Sequence, residues 1–416
     1  MTSFFSISLR AALILLKFLF IIFYTKFSSV ENVGVYALLV SSLTIVVFLF
    51  GAELHSSACR DVVLEKEPSQ KNMIFSTHSF FACVSFISLV LIYFVLSSLG
   101  YLNHFYWLGL PVVFLCFLEL YSQEVSRYLL MTGQPIASNV IQLIKGGLWV
   151  IPVLYLMSKS PEEQHLNLVI NGWLIAVLIA TIVGLMCLRK ELKFTANIDI
   201  TWLFSALKRA RVYWFVAILA QFQMYSDRFI LNYFSGAYEV GVLSVFQNFT
   251  NVIQTFVQVG VIGIFLPKLI STYHAKDLNS YILSIKSLMT QSALIIIAIA
   301  LALLLSIKTV LTLIDKQVYF ELLDVFYLQI ISSVLLTLSL LPHIVLYSMK
   351  ADNVLFKIAL LSLPFYLISL ALLVNLYGIY GVVISAIFYN AFLILCKSLY
   401  AYKFIKGSVN DTKNII

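Results

Sequence analysis

Apolar residues run along this chain in about twelve long stretches, separated by short polar loops. Stretches of ~18 or more apolar residues are long enough to cross a bilayer core of ~30 Å as helices. In lipid the backbone must satisfy its own hydrogen bonds, so each stretch is expected to be helical. The segments fall near 5–25, 33–51, 74–98, 106–130, 138–157, 167–187, 213–233, 240–266, 282–306, 324–347, 355–376 and 379–402. Gly51, Pro111, Gly133, Pro161 and Pro267 punctuate them, while Pro342 and Pro364 sit inside apolar runs, where neighbouring helices tolerate a kink. The first segment carries Arg10 and Lys17 and lacks a small-x-small cleavage site, so it reads as a retained first helix.

Composition leaves little room for anything else. Of 416 residues, 61% are hydrophobic and 11% charged, which excludes a large soluble domain. The mean hydropathy of +0.98 agrees. The net charge of +8 does not indicate nucleic acid, because the basic residues lie mainly in loops beside apolar runs. About 15 Lys and Arg fall in the loops after even-numbered segments and in the C-terminal tail, against about four in the other loops. By the positive-inside rule both termini are expected in the cytoplasm. The five cysteines are widely spaced, without metal or redox spacing, and no cofactor or metal is expected.

The most basic loop (Arg189, Lys190, Lys193, Lys208, Arg209, Arg211) divides the chain into an N-terminal six-helix lobe over 1–188, a basic linker over 189–212 and a C-terminal six-helix lobe over 213–416. FSSVENVGV at 27–35 and FSGAYEVGV at 234–242 share five identities at a constant offset of 207, each following the first helix of its lobe. An even number of helices per lobe makes this a parallel repeat about an axis along the membrane normal, an arrangement suited to alternating access. The expected fold is an all-α polytopic membrane protein of two matching lobes.

Polar residues inside the apolar runs carry the chemistry. Gln247, Asn251, Gln254 and Gln258 lie within about 60° on one helix face. Lipid disfavours such a stripe, so it faces protein or water. It suits sugar hydroxyls in a hydrophilic cavity, and equally suits hydrogen bonds between helices. The preceding helix repeats the spacing with Gln221, Tyr225, Arg228 and Asn232, and Asp227 adjoins Arg228. Arg228 suits an anionic group that Asp227 balances or serves with a proton; an ion pair between helices is the alternative. Arg10 and Lys17 share a face of the first helix, where cationic heads would follow an anion, or snorkel to the headgroups. Lys145 shares a face with Gln142 and Trp149, with the same two readings. Glu119, Gln123, Glu124 and Arg127 sit on the fourth segment. Glu124 and Arg127 are placed to pair at i,i+3, and Glu119, Glu124 and Asp227 are the candidate ion-coupling carboxylates. His343 beside Pro342 reads as a satisfied bundle residue. No GxxxxGK[ST], GxSxG, HExxH or CxxC pattern stands out, and no long outer loop suits a catalytic site.

VENVGVYALLVSS at 30–42, GAELHSSACRD at 51–61, ELYSQEVSRYLLMTGQP at 119–135, GGLWV at 146–150 and above all YSDRFILNYFSGAYEVGVLSVFQ at 225–247 resemble the Wzx-type polysaccharide repeat-unit flippases of the MOP exporter superfamily. The resemblance implies a MATE-like fold and transport of an undecaprenyl-pyrophosphate-linked oligosaccharide, such as an O-antigen unit for lipopolysaccharide, to the outer leaflet of the bacterial cytoplasmic membrane. It also implies membrane lipids, a polysaccharide polymerase and a chain-length regulator as partners. Arg10, Lys17, Lys145 and Arg228 suit the diphosphate. Gln221, Tyr225 and the amides from Gln247 to Gln258 suit the sugars. A multidrug exporter of the same superfamily would be expected to carry an acidic cation-binding cavity, often with an aspartate in the first helix, where this chain has Arg10 and Lys17. Precursor flippases of peptidoglycan would carry fourteen helices.

Overall fold

A computed structural model describes residues 2–104 and 108–413. It is helical throughout its length, and no strand occurs among the described residues. In chain order the helices are α1 Thr2–Phe27, α2 Val30–Gly51, α3 His55–Leu64, α4 Pro68–Ser98, α5 Leu110–Met131, α6 Pro135–Leu143, α7 Val150–Met157, α8 His165–Leu188 and α9 Ile200–Ser235. They continue with α10 Ala237–Val257, α11 Gly263–His274, α12 Leu278–Ile314, α13 Gln317–Glu321, α14 Leu323–Ser348, α15 Asp352–Tyr377 and α16 Ile379–Lys413.

Every apolar segment expected from sequence coincides with a helix. α6 and α7 form one rod through a π-turn at Ile144–Leu148, and α10 and α11 form another through a π-turn at Gln258–Ile262. Ten of the described rods are long and apolar enough to span a membrane. α5 and α9 match the two remaining expected segments, but their charges keep them short of that measure. Residues 106 and 107, where the fourth segment was expected to open, lie outside the described residues. Side chains such as Leu305 (83% exposed) and Leu361 (72%) stand open at mid-helix, as lipid-facing positions require.

The local chemistry of the helix ends accounts for the breaks. Ser29 Oγ accepts the Asn32 amide at 3.2 Å and starts α2. Pro68 and Pro135 occupy first-turn positions, where their missing N–H loses nothing. Asp277 accepts the Ser280 amide at 3.0 Å at the start of α12, and these hydrogen bonds hold its carboxyl below the usual range. The repeated segments sit at equivalent places. Phe27 ends α1 and Ser235 ends α9, and in each copy the Val-Gly-Val triplet is buried in the helix that follows. Buried hydroxyls such as Ser41 and Thr250 bond back to the carbonyl four residues earlier, which removes their need for water.

The chain divides into two compact units, Met1–Met224 and Tyr225–Ile416, with the division inside α9. The basic connection expected over 189–212 is part loop and part helix, because α9 already begins at Ile200. Its first turns belong to the first unit. Leu203 and Ala206 pack on Leu54, and Arg209 Nη2 meets Asp61 Oδ2 at 2.6 Å. α3 was not anticipated, since a ten-residue amphipathic helix is too short to stand out from a polar loop. Within it His55 is pushed down to about 4 by burial and by the nearby Arg127 charge, so its 3.4 Å contact with Glu53 is made by a neutral ring at pH 7.

Gly381, in the first turn of α16, marks a very close approach between two stretches of backbone. A Cβ there would fall 2.1 Å from the Leu373 carbonyl oxygen, a backbone atom that cannot swing aside. Gly381→Ala is therefore expected to destabilise the protein by about 1–3 kcal/mol, read as a lower melting temperature of purified protein in detergent.

Candidate functional site

In the first unit, α1, α5, α8 and the π-turn between α6 and α7 bring charges together at mid-helix depth. Lys145 Nζ donates to Glu119 Oε2 at 2.6 Å and to Ser122 Oγ at 3.3 Å. Trp173 Nε1 donates to Glu119 Oε1 at 3.1 Å, so both carboxylate oxygens are engaged. Trp149 Nε1 donates to the Lys145 carbonyl at 3.1 Å and its ring stacks with Trp173, centroids 6.3 Å apart. Glu119 and Lys145 are buried. Charges so placed are tolerated only when paired and hydrogen-bonded, and this pair is both.

The π-turn explains why α1 reaches this pair. A Cβ on Gly146 would stand 2.9 Å from Leu13 Cδ1 and 3.4 Å from Lys17 Cε, so glycine allows α1 to lie against the turn. Lys17 is then near enough to feel the charges of both Glu119 and Lys145. Among the described residues it makes no hydrogen bond and no ion pair. Its side chain keeps exposed surface although many protein atoms stand around it. One turn on, Phe20 packs edge-on against Trp149 at 5.0 Å. The group of two lysines and one carboxylate has a surplus positive charge, flanked by indoles. Arg10, further toward the start of α1, donates from Nε to Asn139 Oδ1 at 3.0 Å.

A second cluster of the first unit lies further along α5. Arg127 pairs with Glu124, as the i,i+3 spacing predicts. His78 Nε2 stands 3.9 Å from Glu124 Oε2, and His78 Nδ1 lies 2.7 Å from the Tyr128 hydroxyl. Glu53, His55 and Gln123 line a small pocket with Glu124 and Arg127.

In the second unit, α9 and α10 meet through Gln247. Its Nε2 donates to Asp227 Oδ2 at 2.7 Å, and its Oε1 accepts from Arg228 Nη2 at 3.2 Å. The guanidinium sits 5.4 Å over the Tyr225 ring. Asp227 is buried, while Arg228 and Tyr225 are half-buried. Gln221 is half-buried too, on the part of α9 that belongs to the first unit. Asp227 thus joins the two helices through a hydrogen bond from Gln247 rather than through an ion pair. Asn251 and Gln254 continue the stripe half-buried, and Gln258 opens the π-turn exposed. Phe246 and Ile253, about 100° or more round α10 from the middle of the amide stripe, are fully buried, so the amides lie on its more open side.

Sequence reasoning missed several partners. Trp173, His78 and Asn139 belong to the clusters above. Tyr366 feels the Asp227 charge and packs on Tyr389, ring centroids 4.7 Å apart. Trp149 and Trp173 were visible only as aromatic residues in apolar helices. His78 was a polar residue in an apolar run, and that signal was available. No group of three or more metal-ligating side chains occurs among the described residues.

Long apolar helices with buried, paired charges among them define a polytopic membrane protein. Comparison with known proteins narrows the class. Residues 2–267 match the family model described as polysaccharide biosynthesis protein, and the chain belongs to that family. No curated protein matches the chain by sequence. An inward-facing multidrug-resistance MATE family transporter of the MOP superfamily is 12% identical, with 96% of this chain and 95% of that one covered at a TM-score of 0.74. The lipid II flippase MurJ, in an inward closed conformation, is 14% identical, with 95% and 87% covered at 0.75. A MOP superfamily transporter from Pyrococcus furiosus, described as having a binding pocket of reversed polarity, is 11% identical, with 97% and 94% covered at 0.63. Identities this low establish the shared MOP transporter fold. The chain thus belongs to the polysaccharide biosynthesis protein family and has the fold of MOP transporters, with no resemblance to an enzyme in either.

Proposed function

We propose that the protein flips an undecaprenyl-pyrophosphate-linked oligosaccharide repeat unit from the cytoplasmic to the outer leaflet of the bacterial cytoplasmic membrane, by alternating access, with both termini in the cytoplasm. One observation carries this reading. Lys17 is a mid-helix lysine with no hydrogen bond or ion pair among the described residues, and Glu119, whose charge it feels, is already bound by Lys145. The surplus charge calls for an anion, and a diphosphate supplies one. The family's description as a polysaccharide biosynthesis protein supports a saccharide on that anion. In the second unit Arg228 and the amides of α10 suit diphosphate oxygens and sugar hydroxyls. A multidrug exporter for cations would want an available acid here, and Glu119 is occupied.

Energetics favour the direction. One negative charge leaving a negative interior gains ~2.3 kcal/mol per 100 mV. The direct test deletes the gene in a strain that makes a surface polysaccharide. Lipid-linked repeat units are expected to accumulate on the cytoplasmic side, and a plasmid copy is expected to clear them. Altered drug sensitivity without that accumulation would overturn the proposal.

A further inference from the structure

The first unit holds a second, separate recess at the end of α8, of about 240 Å³. Its floor and sides are Phe75, Leu185, Leu188, Leu192 and Phe194, and Arg189 and Lys193 stand on it. No acidic side chain lines it. Leu188 and Leu192 are buried, whereas Arg189, Lys193 and Phe194 are exposed. Among the described residues, the side chains of Arg189 and Lys193 make no ion pair and no hydrogen bond.

The connection that forms one wall is pinned. The backbone amides of Lys193, Thr195 and Asp199 donate to Asn72 Oδ1, Ser76 Oγ and Thr77 Oγ1 at 2.8, 2.8 and 3.0 Å. Phe194 packs on Phe75 with ring centroids 4.9 Å apart. The recess is therefore built by three backbone anchors along the first turns of α4, and does not depend on the chance position of a loop.

Its approach is from lipid. Ile175, Ile179, Ile182 and Met186 are exposed by 57, 47, 50 and 59%, and their spacings of four, three and four place them on one face of α8. Three residues on, the same face arrives at Arg189. An exposed apolar stripe thus runs down a spanning helix and ends at an unpaired cation beside an apolar hollow, as a path from lipid would. A soluble anion would use the cations and leave the hollow empty. An apolar molecule would use the hollow and leave the cations unmatched. The volume is below the ~300 Å³ of an ordinary small-molecule pocket, so it admits part of a chain and not a whole amphiphile.

We infer that this recess binds an anionic phospholipid of the adjoining leaflet, its phosphate between Arg189 and Lys193 and the upper part of one acyl chain against Leu185, Leu192 and Phe194. Charge complementarity and continuity with the exposed apolar stripe select this occupant. It is apart from the Lys17 group and does not depend on the cargo assignment.

The test uses full-length protein purified in neutral detergent and offered phosphatidylglycerol or phosphatidylcholine, with bound lipid counted by native mass spectrometry. Phosphatidylglycerol is expected to be retained at least ten-fold better than phosphatidylcholine. Arg189→Ala/Lys193→Ala should abolish that preference, and Leu185→Trp, which fills the hollow and keeps both charges, should abolish it too. Lys268→Ala/Lys276→Ala, in the second unit, should leave it intact. Melting curves without added lipid show that each variant is folded. Equal loss in the Lys268/Lys276 variant would mean general charge attraction and overturn the site. Full retention in Leu185→Trp, or displacement by millimolar inorganic phosphate, would mean that headgroup charge alone binds, and would also overturn it.

Discussion

Replacing Glu119 by leucine is expected to destabilise the protein by about 3–5 kcal/mol, because it leaves the buried Lys145 ammonium without its carboxylate. Among the described residues Lys145 keeps only the Ser122 hydroxyl, at 3.3 Å, as a partner, and Lys17 adds a second positive charge nearby. The Trp173 indole also loses its acceptor. The readout is the melting temperature and the monodisperse fraction of purified protein. Glu119→Leu/Lys145→Met removes both charges together and should recover most of the loss, since an apolar pair often replaces a buried ion pair at little net expense. If Glu119→Leu alone is as stable as wild type, the pair does not hold the unit together.

Lys17→Met is expected to lower flipping by roughly 30-fold or more at normal protein level. Removing one partner of a desolvated charge contact typically forfeits about 2–5 kcal/mol of binding, and each 1.4 kcal/mol is ten-fold. Stability should change little, because Lys17 makes no ion pair and no hydrogen bond among the described residues. Lys17→Arg should restore much of the rate, since the charge matters more than its shape for a flexible diphosphate. The measurement is transfer of a lipid-linked saccharide in membranes or complementation of the deletion strain. Unchanged transfer with Lys17→Met would remove this lysine from the cargo path. Arg228→Met, in the second unit, is expected to act in the same direction. It is the weaker test, because the Arg228 side chain also bonds Gln247 and a loss would mix folding with transport.

The positions of the spanning helices were legible because lipid imposes length and apolarity on every one of them. Their ends were less so. The first turns of α9 were assigned to a linker because Lys208, Arg209 and Arg211 break the apolar pattern. Those turns are helical because Leu203 and Ala206 pack on Leu54 and Arg209 meets Asp61. The Glu124–Arg127 pair was legible from spacing alone, since three residues on one helix are neighbours wherever that helix lies. Glu119 and Lys145 were each singled out, one as a coupling carboxylate and one as a cargo contact, and nothing in their spacing joined them.

By itself the sequence determined that this is a helical membrane protein, which helix faces are polar, and that its intramembrane chemistry is rich in cations and amides. Those properties follow from composition and from a period of 3.6, and both are local. Tertiary structure decided that Lys145 turns to Glu119 while Lys17 stays unpaired, that Gln247 bridges Asp227 and Arg228, and that the chain after α8 folds back to make a recess. A helix period tells which residues share a face, not which other helix that face meets. That choice rests on close packing, such as the approach of α1 to Gly146, which involves residues more than a hundred positions apart.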